Sequence, residues 1–125
     1  MILVDSSVWL EFFAGSDYGL ILKNNKDFKN NDYIVPTIVV AEVYKKLLSL
    51  FDEATAREYA AHLQHGLIVD LDFDISLSAA LSGKEYKLPL ADSIIYATTV
   101  RYNATLLTMD KHFKGLPNVK YFEKK

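Results

Sequence analysis

The chain has 125 residues, 50% of them apolar and 24% charged, and its 14 Lys and Arg against 16 Asp and Glu leave a net charge of −2. That is one domain of ordinary size, residues 1–125, which hides roughly two-thirds of its extended surface on folding; disorder is excluded by the composition. Cysteine is absent, so disulfides, thiolate nucleophiles and Cys-type zinc are ruled out, and neither a ~20-residue apolar span nor a basic signal-peptide start is present.

In chain order, Ile2-Leu3-Val4 reads as a short buried strand leading into a helix that begins around Asp5-Ser6-Ser7 and stops at Gly15. Asp17 to Asn25 can form a second short helix. Tyr33-Ile34-Val35 is the next strand, stopped by Pro36, and Thr37 is read as the cap of a long helix from Ile38 to Leu50. Its apolar residues Val39, Val40, Val43, Leu47 and Leu50 recur at helical spacing. Asp52 caps a helix running to about His65, with Gly66 as its left-handed stop. Leu67-Ile68-Val69 is strand three. Asp74 to Lys87 reads as a helix interrupted near Gly83. Pro89 opens another, Leu90 to Tyr102, stopped by Asn103. Thr105 to Thr108 is strand four, Asp110 to Lys114 a single turn ended by Gly115, and Val119 to Phe122 strand five. Short apolar strands alternating with longer helices specify an α/β fold with a mostly parallel sheet covered on both faces.

In such sheets ligands bind beyond the carboxyl ends of the strands. Asp5 and Asp110 follow strands one and four, Asp92 opens the helix that feeds strand four, and Glu42 lies early in the helix after strand two. Each acid alone has an ordinary explanation. Asp5 could cap a helix, Asp92 could answer a helix dipole, Glu42 could pair with Lys46, and Asp110 could sit in a turn. Together at one edge they would repel, unless a positive ion sat among them. Oxygen-only clusters of this kind suit Mg²⁺ or Mn²⁺. The overall charge hints at no nucleic acid, although neutralising these four carboxylates would turn the balance positive.

The segments Leu3-Val4-Asp5-Ser6-Ser7-Val8-Trp9, Leu88-Pro89-Leu90-Ala91-Asp92-Ser93 and Leu107-Thr108-Met109-Asp110-Lys111-His112-Phe113, with Glu42 in a helix after a strand, carry a resemblance. In order and spacing the chain resembles the PIN-domain family, and within it the VapC-type toxin ribonucleases of toxin–antitoxin systems, from residue 2 to about residue 122. The resemblance implies a three-layer α/β/α sandwich with a five-stranded, mostly parallel sheet. It also implies a Mg²⁺- or Mn²⁺-dependent endoribonuclease with an RNA substrate, a cognate antitoxin, a homodimer and a cytoplasmic location. Carried onto this sequence, the acidic quartet is Asp5, Glu42, Asp92 and Asp110, and Ser6 and Thr108 match the family's small hydroxyls. The expected arrangement has Asp5 and Asp92 as principal metal ligands, with Asp110 and Glu42 completing the shell directly or through water. Ser6 and Thr108 would fix carboxylate rotamers from behind.

Other groups are read more plainly. His62 and His65 lie three apart on a helix but lack a matching acid, so solvated residues are expected. His112 flanks Asp110 and could contact substrate, although simple exposure is expected. Asp70, Asp72 and Asp74 alternate at a strand end, which needs only a solvated face and a cap at Asp74. Tyr96, one turn beyond Asp92, could lie under a base, whereas Tyr44, Tyr59 and Phe51 fit helix–helix packing. Lys45, Lys46, Lys84 and Lys87 are candidates for phosphate contact, although solvated helix residues are expected. Two rival functions are a receiver-like Mg²⁺-binding phosphoacceptor, with Asp70 and Lys111 in its key positions, and a catalytically inactive PIN-like interaction module.

Overall fold

The computed structural model describes residues 1–125. Five strands form its centre: β1 (Ile2–Val4), β2 (Tyr33–Pro36), β3 (Leu67–Val69), β4 (Thr105–Thr108) and β5 (Val119–Tyr121). They pair in the order β3-β2-β1-β4-β5, and every pair is parallel, with Leu3 opposite Ile34 on one side and Leu106 on the other. Central β1 is buried at all three positions, as a strand covered on both faces must be, whereas Leu67 and Ile68 on edge strand β3 are exposed. A receiver-like module would need the order 2-1-3-4-5. The observed order removes that alternative.

Seven helices cover the sheet: α1 (Ser6–Ala14), α2 (Leu20–Lys23), α3 (Lys26–Lys29), α4 (Thr37–Leu50), α5 (Glu53–Ala61), α6 (Phe73–Tyr86) and α7 (Leu90–Arg101). The chain steps from β1 through β2 to β3 in one direction, then returns past β1 to β4 and β5. Right-handed crossovers place the helices of the outward steps on one face and those of the return on the other, which is the α/β/α sandwich. On the first face Trp9 is fully buried against Phe12, Phe13, Phe28 and Tyr33, with ring centroids 5.6–6.0 Å apart. The return also makes a topological switch between β1 and β4, and the crevice opens beyond their carboxyl ends.

Several boundaries differ from the sequence reading, each for a local reason. Helix α4 begins at Thr37 itself, with the extended Pro36 in the capping position and no side-chain cap. Asp72, not Asp74, caps α6 by accepting the Ile75 N–H at 2.8 Å, and it also faces Arg101. Helix α6 runs through Gly83 without a break. A Cβ there would stand 2.5 Å from Ser93 Oγ, so this glycine is where α6 and α7 approach, not where α6 stops. Gly66 is extended rather than left-handed, and a Cβ on it would lie 2.3 Å from the Tyr33 ring. Helix α3 has no counterpart in the reading. Asn25 starts it by accepting the Phe28 N–H at 3.0 Å.

Helix α7 carries the site toward the core. It is buried all round from Asp92 to Thr99, and its buried hydroxyls return to its own backbone: Thr98 to Ile94 O at 2.7 Å and Thr99 to Ile95 O at 2.9 Å. No helix of the chain is long and apolar enough to cross a membrane.

Candidate active site

The crevice between β1 and β4 is built from the first residues after each strand. Asp5 stands at the capping position of α1, yet its carboxylate makes no cap hydrogen bond to that helix. One oxygen, Oδ2, accepts the Ser7 hydroxyl at 2.6 Å and the Thr108 hydroxyl at 2.8 Å. Those two hydroxyls also accept from the β4 loop, Ser7 Oγ from Met109 N at 3.1 Å and Thr108 Oγ1 from Asp110 N at 2.9 Å. Two hydroxyls therefore tie the turn after β1 to the turn after β4 and hold Asp5 and Asp110 at fixed relative positions. Thr108 takes the position behind Asp5 that the sequence suggested. Ser6 makes no side-chain hydrogen bond to Asp5; its neighbour Ser7 makes that bond instead.

Asp92 lies in the first turn of α7, with its side chain 12% exposed. It meets the His112 ring, whose Nδ1 is 2.8 Å from Asp92 Oδ2 and 3.2 Å from Asp110 Oδ1. Asp110 in turn caps the short 3₁₀ turn over Lys111–Phe113, accepting the His112 N–H at 2.9 Å, and buried Phe113 anchors that turn in the core. One ligand atom from each of Asp92, Asp110 and His112 lies within 4.8 Å of the others. Exposure and clustering thus coexist at His112, half of whose ring faces solvent.

Glu42 enters from α4. It forms no ion pair with Lys46. Its Oε1 is buried without a hydrogen-bond partner, an arrangement that costs stability unless something else satisfies it.

The electrostatics record the crowding. Burial pushes the Asp5 carboxyl above the usual carboxylate range, and the charge of Asp110 adds to this against the two hydroxyl bonds. Burial likewise raises Glu42, reinforced by Asp5, Asp92 and Asp110 and opposed by the Ser6 hydroxyl beside it. Asp92 is raised by burial and by Asp110, with His112 pulling the other way. Hydrogen bonding to Asp92, followed by the charge of Asp110, raises the His112 ring. Four carboxylates that feel one another, one with an unsatisfied buried oxygen, form a donor set suited to a divalent cation.

The remaining sequence candidates lie elsewhere. Tyr96 is buried, and its hydroxyl donates to Pro117 O at 2.9 Å, so it offers no face to a base. Tyr59 packs against Phe51 and Phe13. His62 and His65 sit on a 3₁₀ turn with ring centroids 5.9 Å apart and belong to no ligand cluster. Asp70 and Asp74 are exposed.

A chain with this sheet order and this carboxylate crevice falls in the class of α/β folds that place acids at the switch point. The PIN domain family model matches residues 2–119, and the chain belongs to that family. Among solved structures, a toxin–antitoxin complex from Klebsiella pneumoniae contains a chain 25% identical to this one. Its TM-score is 0.84, and the match covers 99% of this chain and 100% of that one. The fold is also that of Mycobacterium tuberculosis VapC20, described as a sarcin-ricin loop cleaving toxin, at 18% identity and TM-score 0.75 over 100% of this chain and 99% of that one. VapBC2 from Rickettsia felis, bound to a DNA fragment from its promoter, shares it at 20% identity and TM-score 0.72, over 98% and 100%. No curated protein matches the sequence.

Proposed function

We propose that this single-domain chain is a divalent-metal-dependent endoribonuclease, Mg²⁺- or Mn²⁺-loaded, and the toxin half of a toxin–antitoxin pair acting in the cytoplasm. The observation that carries the reading is geometric: Asp92 and Asp110 offer ligand atoms within 4.8 Å of each other and of His112, the Thr108 hydroxyl joins Asp5 to the Asp110 turn, and Glu42 Oε1 is buried and unpartnered. Membership of the PIN family and the likeness to toxin–antitoxin structures support it.

Asp5 and Asp92 would hold the cation, with Asp110 and Glu42 completing the shell directly or through water. When bound, such an ion supplies a water acidified toward neutral pH and positive charge for the phosphoryl oxygens. The chain does the positioning. Ser7 and Thr108 lock one oxygen of Asp5, leaving the other free of side-chain bonds. The Thr108 hydroxyl also sets Asp110 through its N–H. Whichever of Asp110 and Glu42 stays free of direct contact would orient the attacking water and accept its proton.

The antitoxin and a second copy of the chain are the partners this reading implies. Phe73, Leu77 and Leu81 recur every fourth residue along α6 and are 53–76% exposed, a row of apolar surface that a partner would cover.

Incubating the purified chain with structured RNA in Mg²⁺ or Mn²⁺ tests the reading. Cleavage should require the metal, stop with EDTA and vanish in Asp5→Ala and Asp92→Ala proteins that remain folded. Undiminished cleavage by a clean Asp5→Ala preparation would overturn it. A metal-binding protein that cleaves no RNA would support the inactive-module alternative.

A further inference from the structure

Oxygen ligands alone leave the choice among divalent cations open, because Mg²⁺ and Mn²⁺ accept the same carboxylates. The structure adds a nitrogen. His112 presents Nδ1, not Nε2, to the crevice, at 2.8 Å from Asp92 Oδ2 and 3.2 Å from Asp110 Oδ1. In an octahedral shell with bonds of about 2.1 Å, neighbouring ligand atoms stand about 3.0 Å apart. Those two separations bracket that edge length, and one ligand atom from each of the three residues lies within 4.8 Å of the others, so Nδ1 and a carboxylate oxygen from each acid can converge on one ion. The backbone holds the ring there, because the His112 N–H donates to Asp110 Oδ1 at 2.9 Å and Phe113 pins the same turn in the core. The chain's other two histidines, on the 3₁₀ turn before β3, lie in no such cluster.

Resting on the reading of this crevice as a cation site, we infer that His112 is a direct nitrogen ligand through Nδ1. It makes the centre a mixed carboxylate–imidazole site that favours a divalent transition ion over Mg²⁺. A hard ion gains little from imidazole, whereas first-row transition ions gain affinity from it. With Asp92 and Asp110, the ring supplies three ligands from two short segments, the start of α7 and the turn after β4.

Pulsed EPR of the wild-type chain loaded with Mn²⁺ tests this without reference to catalysis. The expected result is a histidine-nitrogen coupling on the Mn²⁺ signal that changes when histidine is ¹⁵N-labelled and disappears in His112→Ala. Calorimetry with MnCl₂ and with MgCl₂ should show Mn²⁺ affinity falling about tenfold or more in His112→Ala, with Mg²⁺ affinity changing much less, so that the Mn²⁺ preference shrinks. Stoichiometric Mn²⁺ binding to wild type with no nitrogen coupling would overturn the inference and leave the cation-site reading standing. If neither ion bound the wild-type chain, both would fall. A coupling that persisted in His112→Ala would assign the nitrogen elsewhere and refute the role of His112.

Discussion

Asp5→Asn separates the demands of the site from those of the fold. Both hydroxyls that hold Asp5 donate to the same oxygen, Oδ2. An asparagine can turn its carbonyl oxygen to Ser7 and Thr108 and keep both bonds, while its amide nitrogen replaces the other oxygen. What is lost is a charge that burial and Asp110 oppose. A raised carboxyl means that the folded chain binds protons more tightly than the unfolded chain. This contribution to stability is therefore full below the ordinary carboxylate range and is lost as pH rises through the raised value. At neutral pH in EDTA the substitution removes that loss and should stabilise the chain by about 1–3 kcal/mol, the scale on which neutral replacements of buried charges operate. For a chain of this length that is a rise in melting temperature of about 4–12 °C. Urea unfolding in EDTA and in saturating MgCl₂ or MnCl₂, at pH 4.5 and 7.5, is the assay. The variant should gain on wild type as pH rises, lose most of the metal-induced stabilisation and cleave no RNA. An Asp5→Asn protein less stable than wild type at pH 7.5 in EDTA would refute this account of the crevice.

Thr108→Val keeps the shape but removes a fully buried hydroxyl that serves two partners. It should cost about 1.5–3 kcal/mol, since Asp5 and the Asp110 N–H both lose a bond, and RNA cleavage should fall with it; unchanged stability in urea contradicts the bridge. His112 is raised by Asp92 and Asp110, so its contribution is full below pH 6.5, its ordinary value, and is lost as pH climbs through the raised value. The stability gap between wild type and His112→Ala in EDTA should therefore be widest in acid and close with rising pH, and a gap that widens instead would count against the pairing. Gly83→Ala sets a helix-propensity gain of about 1 kcal/mol against a Cβ placed 2.5 Å from Ser93 Oγ. The clash should win by about 1–3 kcal/mol of net destabilisation, and a raised melting temperature would show that α6 and α7 have room to part. Gly66→Ala meets the side of the buried Tyr33 ring at 2.3 Å and should be worse, read as loss of soluble protein or a lower urea midpoint.

Strand positions were legible because parallel strands buried on both faces must be short, continuous apolar runs, and Ile2-Leu3-Val4 and Thr105-Leu106-Leu107-Thr108 are unambiguous. Asp5, Asp92 and Asp110 could be read as a set because each follows a strand or lies in the first turn of a helix at one end of the sheet, whereas Glu42, a turn and a half into α4, joined them only through the resemblance and the helix's place after β2. Hydroxyl partners were not legible. Ser6 and Ser7 are adjacent serines, and which one turns back to Asp5 depends on the pitch of the first turn of α1 against β4. His112 was out of reach for a related reason: its contact with Asp92 spans 20 positions and depends on how the 3₁₀ turn after β4 is pinned by Phe113. Gly66 and Gly83 looked like stops because sequence shows a missing side chain and not the neighbour that needs the space. Tyr96 shows the converse, since one helical turn from Asp92 points inward when the helix is buried on every side.

The bond between Thr108 and Asp5 joins residues 103 positions apart, and β1 cannot acquire its β4 neighbour until residues 105–108 have been made. A nascent polypeptide still lacking that segment has Asp5 and Glu42 but neither Asp110 nor the hydroxyl that aims Asp5. If the crevice is what cuts RNA, a ribosome synthesising this chain is shielded from its own product until residues 105–110 have been made. On that reading, a chain terminated before Thr108 should cleave no RNA.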